Sequence, residues 1–114
     1  MRKTLFFVAA AALAAASALA AEAVIVSYAE GTLNFVVKGT GTVTVTALAD
    51  YKYISETTGE EALARSESPP LKVKLTGVDA PGTIAFAPPA GTLEEVEIVL
   101  FVNGDEKARQ TFYF

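Results

Sequence analysis

Cysteine, histidine and tryptophan are all missing from this 114-residue chain, and each absence removes a class of chemistry. Without cysteine there is no disulfide framework, no thiolate nucleophile and no acceptor for a lipid anchor. Without histidine as well, Ser-His-Asp and Cys-His catalysis, most zinc and copper sites, and haem or iron–sulfur ligation are excluded. Carboxylate chemistry remains, and Glu94, Glu95 and Glu97 form the densest acidic group. A paired-carboxylate glycosidase also needs sugar-stacking aromatics and a cleft, so with no tryptophan these glutamates read as a solvated strand face. Asn103, Asp105 and Glu106, with Asp79 elsewhere, are the residues that calcium would use, but hairpin geometry accounts for the Asn-Gly-Asp run. Gly39 and Gly41 precede a strand and not a helix, which makes them turn residues and not a phosphate cradle. The expectation is a protein that is not an enzyme, with no catalytic residue, no cofactor and no metal.

What is present begins with a leader. Arg2-Lys3 is a positive start, Thr4 to Ala16 an apolar run, and Ser17-Ala18-Leu19-Ala20 offers small residues in the Ala-x-Ala pattern of a signal-peptidase site. Residues 1–20 therefore read as a cleaved signal peptide and 21–114 as one domain that folds outside the cytoplasm, whether secreted, periplasmic or on the cell surface. A retained membrane anchor would need about twenty strongly apolar residues, and this run is short and rich in alanine. A type IV pilin leader normally has Gly before its cleavage point and Glu shortly after, and neither is found here. No membrane span is expected after cleavage. All thirteen acidic residues follow residue 20, leaving them against seven basic ones, a net charge of −6. That charge repels nucleic acid and anionic lipid, and no basic cluster with interleaved aromatics offsets it.

The mature sequence has the two-residue period of strands. Ala23 to Tyr28 is a β-branched run, and Glu30-Gly31 ends it. Leu33 to Lys38 follows, with Leu33, Phe35 and Val37 on one face; Gly39 to Thr42 reads as a turn. Val43 to Asp50 predicts a third strand and Tyr51 to Ile54 a short fourth. From Glu56 to Pro70 the alternation fails. Thr58 and Glu61 have capping-box spacing, so Glu60 to Arg65 reads either as one or two helical turns or as an exposed loop. Leu71 to Leu75 alternates again, with lysines outward that would protect a sheet edge. Gly77 to Gly82 reads as a turn, Thr83 to Ala87 as a strand, and Pro88 to Gly91 as a crossing. Leu93 to Phe114 predicts a hairpin around Asn103-Gly104, the pair suited to a type I′ turn. Its end, Phe112-Tyr113-Phe114, carries enough apolar area to predict that it is pinned into a core or an interface.

About seven to eight short antiparallel strands predict an all-β fold, an immunoglobulin-like or fibronectin-like β-sandwich, without the Cys, Trp, Cys hallmark of true immunoglobulin domains. A membrane barrel needs eight strands of about 9 to 11 residues, longer than those read here. Two roles fit. In the first, the chain is a structural or interaction subunit at the cell surface, a fimbria-like element that binds a protein partner or itself. Ala23, Val24, Ile25, Val26 and Tyr28 form a candidate donor strand for head-to-tail assembly, because this segment is apolar on both faces. In the second, it is a secreted binding or inhibitory module using the 56–70 segment, with Glu60, Glu61 and Arg65 as the candidate contact residues.

Overall fold

The structure, a computed structural model, describes residues 21–114; the leader read at 1–20 lies outside them. Eight strands account for most of that span: β1 (Glu22–Ala29), β2 (Thr32–Lys38), β3 (Thr40–Ser55), β4 (Glu61–Glu67), β5 (Leu71–Thr76), β6 (Ala80–Ala85), β7 (Gly91–Val102) and β8 (Asp105–Tyr113). All pairings are antiparallel. One sheet has the order β1-β2-β6 and the other β4-β3-β7-β8, with β5 also paired to β3. The inward residues of both sheets form one core, in which Leu33, Phe35 and Val37 meet Val45, Ile98 and Leu100, all buried. Each such side chain is worth about 1.5–3 kcal/mol on leaving water. Across the core the Tyr28 and Tyr51 hydroxyls share a hydrogen bond of 3.0 Å, which ties one sheet to the other.

Two hairpins have the two-residue turns that Gly favours. Asn103 (φ 52°) and Gly104 (φ 83°) join β7 to β8 as predicted, and Glu30 (φ 52°) with Gly31 (φ 80°) joins β1 to β2 in the same way. Asn103 also extends the β3–β7 ladder. Its amide donates to the Thr44 carbonyl at 2.8 Å, while its Oδ1 accepts from the Thr44 amide at 2.9 Å. Ser68 does the same on the opposite edge of β3. Its amide donates to the Ala47 carbonyl and its Oγ accepts from the Ala47 amide, both at 2.9 Å, where the following Pro69-Pro70 has no N–H to offer.

Several sequence expectations need correction. The 56–70 segment is neither a helix nor a mobile loop: Glu61–Glu67 is strand β4, paired to β3 from Ile54 to Leu48. The Thr58 hydroxyl accepts from the Glu60 amide at 3.2 Å, a turn contact and not a helix cap. Val43–Asp50 and Tyr51–Ile54 are one strand of 16 residues that starts at Thr40, so the turn expected over 39–42 shrinks to Gly39. β6 begins at Ala80 and ends at Ala85, so Ala80 to Gly82 belong to a strand and not a turn. Pro81 is accommodated because β6 is an edge strand. Gly82 lies under the Phe35 ring, where a Cβ would collide with it. Strands run to 16 and 12 residues, longer than the sequence reading allowed; the two sheets nonetheless stay separate. Of the terminal aromatics only Phe112 packs on the core, 5.9 Å from the Tyr28 ring, while Tyr113 and Phe114 are exposed.

Two outcomes follow from the buried polar contacts. Ser68→Ala leaves the Ala47 amide without its acceptor, which costs about 1–3 kcal/mol and lowers the melting temperature by several degrees in calorimetry. Burial, reinforced by the bond to Tyr28, pushes the Tyr51 phenol well above its ordinary range. The folded state thus keeps a proton that the unfolded chain loses near pH 10, so stability holds below that pH and falls as pH rises beyond it. Alkaline melting curves should show this fall, and Tyr51→Phe should flatten it.

Candidate interaction surface

Alternation that buries Leu33, Phe35 and Val37 on β2 turns Val36 the other way, and on β1 it does the same to Val24. Register then aligns them: Val24 pairs with Val36, and Val36 with Pro81, so an apolar row crosses all three strands on the outer face. Val24 is 60% exposed. Beside it a bulge between Ile25 and Ser27 inserts Val26, which is 58% exposed. One flank of the row is polar: Asn34 donates to the Ser27 hydroxyl and accepts from the Thr83 hydroxyl, each at 3.1 Å. The other flank is charged, with Glu22 paired to Lys38 and Asp79 nearby; these residues line a cleft of about 270 Å³ with Val24 and Val36. An apolar centre with a polar and charged rim is the composition of a contact surface.

The candidate donor residues divide between two faces. Ile25 and Tyr28 are buried in the chain's own core, Ala23 packs against it, and Val24 and Val26 lie outside. Apart from the bulged Val26, the segment pairs with β2. The second group is at a distance in the fold. Glu60 is in the β3–β4 turn, and Glu61 and Arg65 are on the outward side of β4. Glu61 is 3.6 Å from Lys52, and Arg65 donates to both Asp50 oxygens at 2.7 and 3.1 Å, which raises the guanidinium pKa. Between them Leu63 is 80% exposed, a position that no alternation in the sequence marks.

Of the residues weighed for metal or catalysis, Glu97, Glu106 and Asn103 have other partners. Arg109 donates to Glu106 at 2.8 Å and to Glu97 at 3.1 Å, and the first bond holds the Glu106 carboxyl below its ordinary range. Asn103 is committed to Thr44. Among the described residues no group of three or more acidic side chains is placed to hold a metal ion, and no helix is long and apolar enough to cross a membrane.

No family model matches the chain, and no curated protein matches it. Among solved structures it is similar to the Pseudomonas fluorescens alkylpurine DNA glycosylase AlkC bound to DNA containing an abasic site analog, at 15% identity and a TM-score of 0.39. The match covers 72% of this chain and 24% of that one, so the chain spans about a quarter of that protein's length. A likeness at that score carries no argument about activity.

Proposed function

We propose that this chain is an exported, non-catalytic structural subunit of immunoglobulin-like build that associates with a second copy of itself through the outer face of β1, β2 and β6. The architecture is supported by strand order. Immunoglobulin-type sandwiches put their first, second and fifth named strands in one sheet and their third, sixth and seventh in the other. Leaving aside β4 and β5, the sheets β1-β2-β6 and β3-β7-β8 follow that order. Export is supported by the leader residues 1–20.

The outer-face row of exposed Val24, half-buried Val36 and exposed Pro81 carries the self-association reading. Its rim holds both signs of charge, Glu22 and Asp79 against Lys38, so two copies related by a two-fold axis can set Lys38 of each near an acid of the other. Residues 21–114, with a net charge of −6, need such local compensation to meet a second copy. Exchange of β1 between copies, which would give open filaments, requires more. It has to open the two-residue turn at Glu30-Gly31 and withdraw Ile25 and Tyr28 from the core, whereas face pairing opens nothing. A second reading keeps the β3–β4 hairpin as a partner site, on the strength of exposed Leu63.

Sedimentation velocity of the exported protein over a range of concentrations should show a reversible dimer. Val24→Lys should weaken that dimer at least about tenfold while leaving the melting temperature nearly unchanged. A monomer at every concentration overturns the reading, and growth into long polymers seen by electron microscopy points to strand exchange instead. Dimerisation that Val24→Lys spares and Leu63→Lys removes moves the contact to the β3–β4 hairpin.

A further inference from the structure

The two sheets differ in width, and the difference leaves room for one more strand. The sheet containing β3 is four strands wide, with β4 and β5 sharing its outer position, whereas the other has three. β1 lies against β8 and β7, so the surplus width falls on the side of β6. There the free edge of β6 and the β4–β5 junction enclose an apolar groove of about 290 Å³, lined by Pro69, Pro70, Leu71, Thr83, Ile84 and Ala85.

Backbone geometry shows what this edge presents. The Phe86 amide donates to the Gly31 carbonyl, and from that bond the antiparallel ladder alternates. Ile84 and Gly82 therefore bond across to Leu33 and Phe35, while Pro81, Thr83 and Ala85 direct their backbone groups away from β2. The missing N–H of Pro81 falls on this outward side, where it costs no ladder bond. Among the described residues the outward N–H and C=O of Thr83 and Ala85 have no backbone partner.

The other free edges are guarded. β4 presents Glu61, Arg65 and Glu67, β5 presents Lys72 and Lys74, β8 presents Arg109, and β1 carries a bulge. On β6 the guard is Pro81 at one end, and the strip from Thr83 to Ala85 beyond it carries no charge, bulge or proline.

We propose that β6 is a strand-addition site for a single extended segment of a partner polypeptide, one with apolar side chains at alternate positions and basic residues flanking them. The slot is one strand wide, so it takes an extended segment and not a folded edge with its own second sheet. Its floor of Leu71, Ile84, Pro69 and Pro70 selects alternate apolar side chains, and main-chain bonds to Thr83 and Ala85 hold the register. The net charge of −6 over residues 21–114 disfavours an acidic segment and favours a basic one. This site uses the edge of β6 and not the outer face proposed for self-association, although the Thr83 side chain borders both, and it stands without that reading.

The test uses a short synthetic peptide alternating Val with Thr and flanked by lysines, added to the exported protein. Binding is followed by fluorescence anisotropy and by amide hydrogen exchange. The peptide should bind and slow exchange at Thr83 and Ala85, and a copy methylated on alternate backbone nitrogens should not bind. Ala85→Pro removes one outward N–H without touching the β2 ladder, and should weaken binding about tenfold or more. Thr83→Lys, which adds the missing guard, should do the same if the proline variant fails to fold. Binding that leaves Thr83 and Ala85 exchange unchanged, binding indifferent to both variants, or no binding overturns the proposal. A dimer that Ala85→Pro dissociates names a second copy as the occupant and overturns the peptide assignment. Failure here leaves the Val24→Lys result untouched, so the two readings fall separately.

Discussion

Strand β3 is paired along both of its edges, and the rest of the molecule is arranged around that fact. It meets β5 and then β4 on one side, from Thr40 to Ile54, and β7 on the other from Val45 to Ser55, so it is the spine of its sheet. A strand of that length between two partners leaves donors and acceptors wherever a partner begins or ends late. Ser68 and Asn103 fill two of those places by lending a side-chain oxygen in the role of a backbone carbonyl. Both are short polar residues that can reach the backbone beside them, which explains why the ladder passes through a proline pair on one side and a turn on the other.

Once β3 is fixed, the second sheet has its place. Tyr51 projects from β3 to Tyr28 of β1, and the hydroxyl contact sets the offset between the layers. Phe86 and Phe112 pack on the Tyr28 ring, so one end of the core is aromatic. The narrower sheet consequently presents an exposed apolar face and one bare edge, while the wider sheet is covered with paired charges such as Arg65 with Asp50 and Arg109 with Glu97 and Glu106. Function is assigned to the narrower sheet for that reason.

Much of this was legible in the residues. Asn103-Gly104 announced its turn, the alternation of Leu33, Phe35 and Val37 announced a core face, and Leu71 to Leu75 announced an edge strand with outward lysines. β4 escaped because its inward residues are Ala62, Ala64 and Ser66, too small to produce a hydrophobic alternation, and because Glu, Ala, Leu and Arg favour helices in isolation. Its pairing with β3 overrides that preference. Its charges hold the one signal of pairing, since Arg65 is directly opposite Asp50. β6 was misplaced because Pro81 and Gly82 look like turn chemistry, and only an edge position with Phe35 above Gly82 makes them strand residues. The apolar row was half visible. β1 reads as apolar on both faces, but nothing local shows that Val24, Val36 and Pro81 share a line.

From Thr44 onward β3 is paired along both edges, while β6 is bare along one. Native-state amide hydrogen exchange of the protein, resolved by residue, measures both halves at once. The account predicts that the amides of Ala47, Ala49 and Ile84 exchange only through global unfolding, while those of Thr83 and Ala85 exchange nearly as fast as an unstructured peptide. Thr83 and Ala85 amides as slow as that of Ile84 would contradict it.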